Sequence, residues 1–107
     1  MGIPDLDTVR GKIQDWGIKN PRIIRAYLYG SFLTKKKSSP GDIDIAIEIS
    51  SQKNDTASGF WCGEGKKMEE ELSILLAYKV DLEWLNDRSH IVKKGLADGS
   101  LLIYEAG

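Results

Sequence analysis

The chain has little that would point to a secreted, membrane-bound or nucleic-acid-coating protein. There is one cysteine in 107 residues. A lone Cys62 can neither close an internal disulfide nor build a thiolate zinc site, a usage that fits a reducing cytosol. No apolar run approaches the ~20 residues that a bilayer-spanning helix needs. The first residues, with Pro4, Asp5 and Asp7, lack the basic-then-apolar pattern of a signal peptide. Neither sign of charge is in excess, since the net charge is -1. General nucleic-acid binding through phosphate neutralisation is therefore not favoured. Internal repeats and low-complexity tracts are absent. What remains is an ordinary globular composition, 41% hydrophobic and 29% charged, with a length suited to one domain, residues 1–107, and one core.

Two local patterns stand out. Ile43, Ile45, Ile47 and Ile49 alternate with Asp42, Asp44, Ala46 and Glu48. That period of two predicts a strand over 42–49 with a greasy face against helices and a carboxylate face toward a cleft or solvent. Upstream, Ile23–Tyr29 is almost all apolar or aromatic and predicts a central strand buried on both faces. It ends at Gly30-Ser31, followed by a helical turn and a loop closed by Pro40-Gly41.

The rest of the chain supplies the layers around these strands. Leu6, Val9, Ile13 and Trp16 recur at helical spacing over 5–16, with Asp5 as cap and Gly17 just past the end. Residues 50–66 are polar, small and glycine-rich and read as a long mobile loop. In it Phe60 and Trp61 either grip a base or partner or pack down onto the domain. Lys67–Tyr78 predicts a helix with Met68, Leu72, Leu75 and Leu76 inward and Glu69, Glu70 and Glu71 in its first turns. Lys79–Leu85 predicts a strand with Val80, Leu82 and Trp84 on one face and Asp81 and Glu83 on the other. A short helix over 86–96, capped by Asn86 or Asp87, and a strand over 101–104 complete the chain.

Chemistry concentrates in Asp42, Asp44 and Asp81. Residues i and i+2 of a strand share a face ~7 Å apart, so Asp42 and Asp44 can converge on one metal ion or on a pair. Asp81 joins them if its strand pairs with theirs. Oxygen-only ligands suit Mg²⁺ or Mn²⁺, which retain waters and substrate phosphates as further ligands. Gly30 lets a ligand approach the backbone, and Ser31 offers a hydroxyl and an N–H. A phosphate beside metal-binding carboxylates is the arrangement that phosphoryl or nucleotidyl transfer requires. Glu83 is an alternative base or a residue of the cleft rim. Glu48 lies ~13 Å from Asp44 along the strand, too far for the same site. His90 reads as a surface or capping residue at a helix start, Cys62 as inert, and Tyr27, Tyr29 and Trp84 as core or cleft wall.

Gly30-Ser31, then ten residues, then Asp42-Ile43-Asp44 resembles the signature of the DNA polymerase β-like nucleotidyltransferases, in particular their minimal nucleotidyltransferase (MNT) branch. The resemblance runs from the first helix to the closing Ile-Tyr-Glu segment. It implies an α+β, two-layer fold: a small mixed sheet with helices on one face and the site on the other. It implies that Gly30 and Ser31 hold nucleotide phosphates, and that Asp42, Asp44 and Asp81 are catalytic and ligate Mg²⁺. The activity implied is transfer of a nucleoside monophosphate, AMP from ATP, to a hydroxyl acceptor. Phe32-Leu33-Thr34-Lys35 replaces the family's Arg-x-x-Gly, so Lys35, or the adjoining Lys36 and Lys37, becomes the candidate phosphate contact. Gly41 stands where Ser is frequent. Members of this branch resemble antitoxins that work with a helical HEPN-domain toxin. The acceptor surface would thus come from such a partner or from a second copy of the chain. The alternative is a non-catalytic antitoxin that neutralises its partner by occlusion.

Overall fold

The computed structural model describes residues 4–34, 41–86, 90–97 and 99–106. Helix α1 (Leu6–Lys19) leads into strand β1 (Ile23–Tyr29) and the short α2 (Gly30–Thr34). Strand β2 (Ile43–Ile49), helix α3 (Ala57–Leu76), strand β3 (Val80–Trp84), helix α4 (His90–Ala97) and strand β4 (Ser100–Glu105) follow. The strands form one mixed sheet in the order β3-β2-β1-β4. β1 runs antiparallel to β2 and β4, whereas β2 and β3 are parallel. A parallel neighbour needs a crossover, and α3 is that crossover.

Local chemistry accounts for the elements. Asp5 accepts a hydrogen bond from the Thr8 N–H at 2.7 Å and caps α1. Hydrogen bonding from the Thr8 side chain first, and from its N–H second, holds the Asp5 carboxyl below the usual carboxylate range. The isoleucines of β2 are all buried, as the alternation predicts. They meet Ala26 and Leu28 of β1 across the sheet, because Ala26 pairs with Ile47 and Leu28 with Ile45. Val9, Ile13 and Trp16 of α1 and Met68, Leu72 and Leu76 of α3 cover this face. By contrast, Arg25, Tyr27 and Tyr29 pair with Glu48, Ala46 and Asp44, and partners directly opposite share a face. β1 is therefore central but not buried on both faces: Arg25 and Tyr27 are only half-buried on the open side.

Further expectations are corrected. Gly17 does not end α1; the helix runs on to Lys19, with Asn20 as its cap. Gly17 is buried against the ring of Tyr104, where an added Cβ would lie 2.6 Å from Cδ2. Alanine is the better helix former, but that overlap decides the sign. Gly17→Ala is expected to lower unfolding free energy by about 1–2 kcal/mol in urea denaturation.

The stretch 50–66 is not one long loop, because α3 begins at Ala57, ten residues before the expected helix start at Lys67. Thr56 caps it, accepting from the Gly59 N–H, and Ala57 N–H donates to Ser51 Oγ at 3.0 Å. Glu69 is thus in mid-helix rather than in a first turn. Its carboxylate accepts from the Leu82 N–H and Ser73 Oγ from the Val80 N–H, both at 3.0 Å. Together they cover outward-facing N–H groups of the β3 edge. Leu75, placed inward by the periodicity, is 37% exposed.

The described part of the expected fourth helix is α4, His90–Ala97. Asp87 and the side chain of His90 lie outside the described residues, as do Lys35, Lys36 and Lys37.

Candidate active site

The parallel pairing of β2 and β3 places Asp44 directly opposite Asp81. Asp42, at the mouth of β2, completes the group. One carboxylate oxygen from each of Asp42, Asp44 and Asp81 lies within 4.8 Å of the others, and all three residues are half-buried. The three Asp residues singled out from the sequence therefore meet on the open face. The donor set is oxygen only, anionic, and open to solvent on one side. Such a set fits a hard divalent cation that keeps waters or phosphate oxygens as its other ligands.

Gly30 stands against this group. Its φ of +78° lies in the left-handed region, and a Cβ built on it would collide with the Asp44 carboxylate. No side chain fits there, so the glycine is needed both for its backbone angle and for the approach of Asp44. Ser31 follows in α2, half-buried, and α2 packs against β1, β2 and β4. The turn and the carboxylates are thereby neighbours.

One residue of the site was read from the sequence only as core or cleft wall. Tyr29 is 9% exposed and pairs with Asp44. Burial pushes its hydroxyl well above the usual tyrosine range, and Asp44, Glu83 and Asp81 push it the same way. Its ring lies under Gly95 of α4, where an added Cβ would be 3.0 Å from Cδ2. α4 thus meets the open face, whereas α1 and α3 lie on the other. The signal in the sequence was the odd-numbered alternation of Arg25, Tyr27 and Tyr29, masked by an otherwise apolar run.

Glu83, read as an alternative base or rim residue, lies beside Asp81. Its carboxyl is raised by burial first, then by the charge of Asp81 and a hydrogen bond with it, with smaller contributions from Glu69 and Asp44. A raised carboxyl means that the folded chain holds this proton more tightly than the unfolded one. The stability it contributes is complete below the ordinary carboxylate range and is lost as pH rises through the raised value. In chelator, the melting temperature should fall over that interval, and Glu83→Gln should flatten the slope.

At the other end of the open face, Glu48 serves a different purpose. It accepts from Tyr27 Oη at 2.8 Å and from Arg25 Nη1 at 3.1 Å, while Arg25 Nε donates to Glu105 at 2.7 Å. This internally satisfied network explains Glu48 without any part in the acidic site. Phe60 and Trp61 also pack onto the domain: the Arg22 guanidinium carbon lies 4.5 Å from the centroid of the Phe60 ring, and Trp61 lies over Gly65.

A four-stranded mixed sheet with α1 and α3 on one face, and a glycine-serine turn and three carboxylates at one end of the other, defines a nucleotidyltransferase-like fold. Residues 11–106 match the model of the family described as Polymerase beta, Nucleotidyltransferase (Polbeta), and the chain belongs to that family. Among solved structures, it is similar to a toxin–antitoxin with AMP-PNP: TM-score 0.67, 21% identity, covering 91% of this chain and 73% of that one. It is likewise similar to a complex of a tri-AMPylated Shewanella oneidensis HEPN toxin with its MNT antitoxin, at TM-score 0.64, 21% identity, 94% and 72% coverage. A toxin–antitoxin MntA-HepT gives TM-score 0.63, 20% identity, 94% and 73% coverage. At these identities the likeness is one of fold. No curated protein matches the chain by sequence. Among the described residues no helix is long and apolar enough to cross a membrane.

Proposed function

We propose that the protein is a Mg²⁺-dependent nucleotidyltransferase that transfers AMP from ATP to a hydroxyl on a HEPN-type protein partner. The observation that carries this reading is the convergence of Asp42, Asp44 and Asp81 within 4.8 Å, beside a glycine whose missing side chain makes room for Asp44. The structural neighbours support the nucleotide and the partner: they include a toxin–antitoxin with AMP-PNP and an AMPylated HEPN toxin with its MNT antitoxin.

In this reading Asp42, Asp44 and Asp81 would hold the cation, and Gly30, Ser31 and Lys35 the phosphates. Divalent metal, when bound, supplies charge neutralisation of the triphosphate and of the departing pyrophosphate. The acceptor hydroxyl oxygen forms a bond to the α-phosphorus, and the bond from that phosphorus to the bridging oxygen breaks. The hydroxyl proton passes to Asp81, the carboxylate on the separate strand, and pyrophosphate leaves. Tyr29 is kept protonated first by its burial and then by its acidic neighbours, and serves as floor rather than base.

The test is incubation with each labelled nucleoside triphosphate and Mg²⁺, with and without a HEPN-domain partner, followed by intact mass. The expected result is one or more AMP increments on the partner, with pyrophosphate released. Full neutralisation of the partner with no mass increment would reject transfer and leave occlusion as the mode of action.

A further inference from the structure

The two halves of α3 are built differently. Residues 57–65 (ASGFWCGEG) contain Gly59, Gly63 and Gly65 and few good helix formers. The second half carries methionine, leucines and glutamates. Each interior glycine lowers the local helix equilibrium by roughly fivefold relative to alanine. Burial is equally uneven. Met68, Leu72 and Leu76 anchor the second half in the core, whereas the first half buries only Ala57 and Gly65. Phe60 and Trp61 touch the core from partly exposed positions.

The first half is secured mainly from outside the helix. Arg22 lies over the Phe60 ring and fixes the preceding connection through Ser50 and Asp55. Thr56 and Ser51 supply the N-terminal caps.

We infer that residues 57–65 form a separately opening unit of α3, hinged near Gly65, that releases Phe60 and Trp61 while the rest of the fold stays closed. The unit packs on the helix-covered face of the sheet, with Phe60 under Arg22 beside the Ile23 end of β1 and Trp61 and Gly65 lining a pocket with Leu82 of β3, opposite the face that carries the acidic group. Its opening therefore leaves Asp42, Asp44 and Asp81 in place. The strand-edge contacts of Glu69 and Ser73 belong to the second half and persist.

Native-state hydrogen exchange read by mass spectrometry tests this on the full chain. Amides of 60–65 should exchange at least about tenfold faster than those of 68–76. Gly63 offers a clean variant, because an added Cβ meets nothing within 4 Å. Gly63→Ala should slow exchange of 60–65 by roughly fivefold, and urea should accelerate exchange of 60–65 less steeply than that of 68–76, whose opening exposes more surface. Equal exchange of the two halves would overturn the inference. So would a Gly63→Ala variant that does not slow 60–65, or a urea dependence of exchange that is the same for both halves.

Discussion

Alanine at Gly30 is expected to remove nucleotidyl transfer as completely as alanine at both Asp42 and Asp44. In the proposed reading the double variant removes two of the three residues that would hold the cation. Loss of several kcal/mol of charge stabilisation corresponds to a rate loss on the order of 10³-fold or more. Gly30→Ala acts through the same carboxylate. Its φ of +78° strains any side chain, and the new methyl group would occupy the space of the Asp44 carboxylate, lying 3.0 Å from Cγ. Asp44 must rotate away, so the cluster loses its shape although every acid is retained. The backbone strain costs about 1–2 kcal/mol, small beside the loss of rate. Gly41→Ser is the control, because a Cβ there meets nothing within 4 Å, and it should preserve activity. Incorporation of labelled AMP measures all three. A Gly30→Ala protein that keeps activity within tenfold of the parent would refute this account of the site.

The largest stability effect is expected at Arg22. It is the one buried charged residue among those described, 8% exposed. Its Nε and Nη2 donate to the Ser50 carbonyl at 3.0 and 2.7 Å, and Nη2 also donates to the Asp55 carbonyl at 2.9 Å. Nη1 pairs with the Asp55 carboxylate. A single planar fork thus satisfies two backbone acceptors and one charge. Arg22→Met keeps the stem but orphans those carbonyls, and a loss of about 3 kcal/mol is expected. Arg22→Lys should lose nearly as much, because one ammonium cannot span the same acceptors. Asp55→Asn should cost no more than about 1 kcal/mol, since the Asp55 side chain is 51% exposed and can rehydrate. Urea denaturation distinguishes these. A lysine variant as stable as the parent would show that charge, rather than the fork, holds the connection.

How far the sequence could be read depended on whether the deciding partner was near or far along the chain. Strand β2 was legible because each isoleucine reports its own face. The same phase in Asp81 and Glu83 was legible, and so was the need for a glycine before Ser31. The start of α3 was not. Three glycines and a run of small residues speak for a loop, and the contacts that favour a helix come from Arg22 and Ser51, distant in sequence or across a turn. Gly17 misled for the same reason. By local rules it terminates a helix, but its role is to admit Tyr104, 87 positions away along the chain. The Arg25–Glu48–Glu105 network and the strand caps of Glu69 and Ser73 likewise join segments that no periodicity connects.

The sequence by itself determined the alternation of β2, the identity of the acids and the turn that precedes them, because each rests on side-chain spacing within a few residues. Only the tertiary structure decided that β3 lies parallel to β2 in the register that sets Asp81 opposite Asp44. It likewise decided that Tyr29 and Glu83 share that end of the face, and that a glycine-rich stretch becomes helix. Pairing register and long-range packing arise from the competition among whole elements for one core. That competition has no signature in any single stretch of the chain.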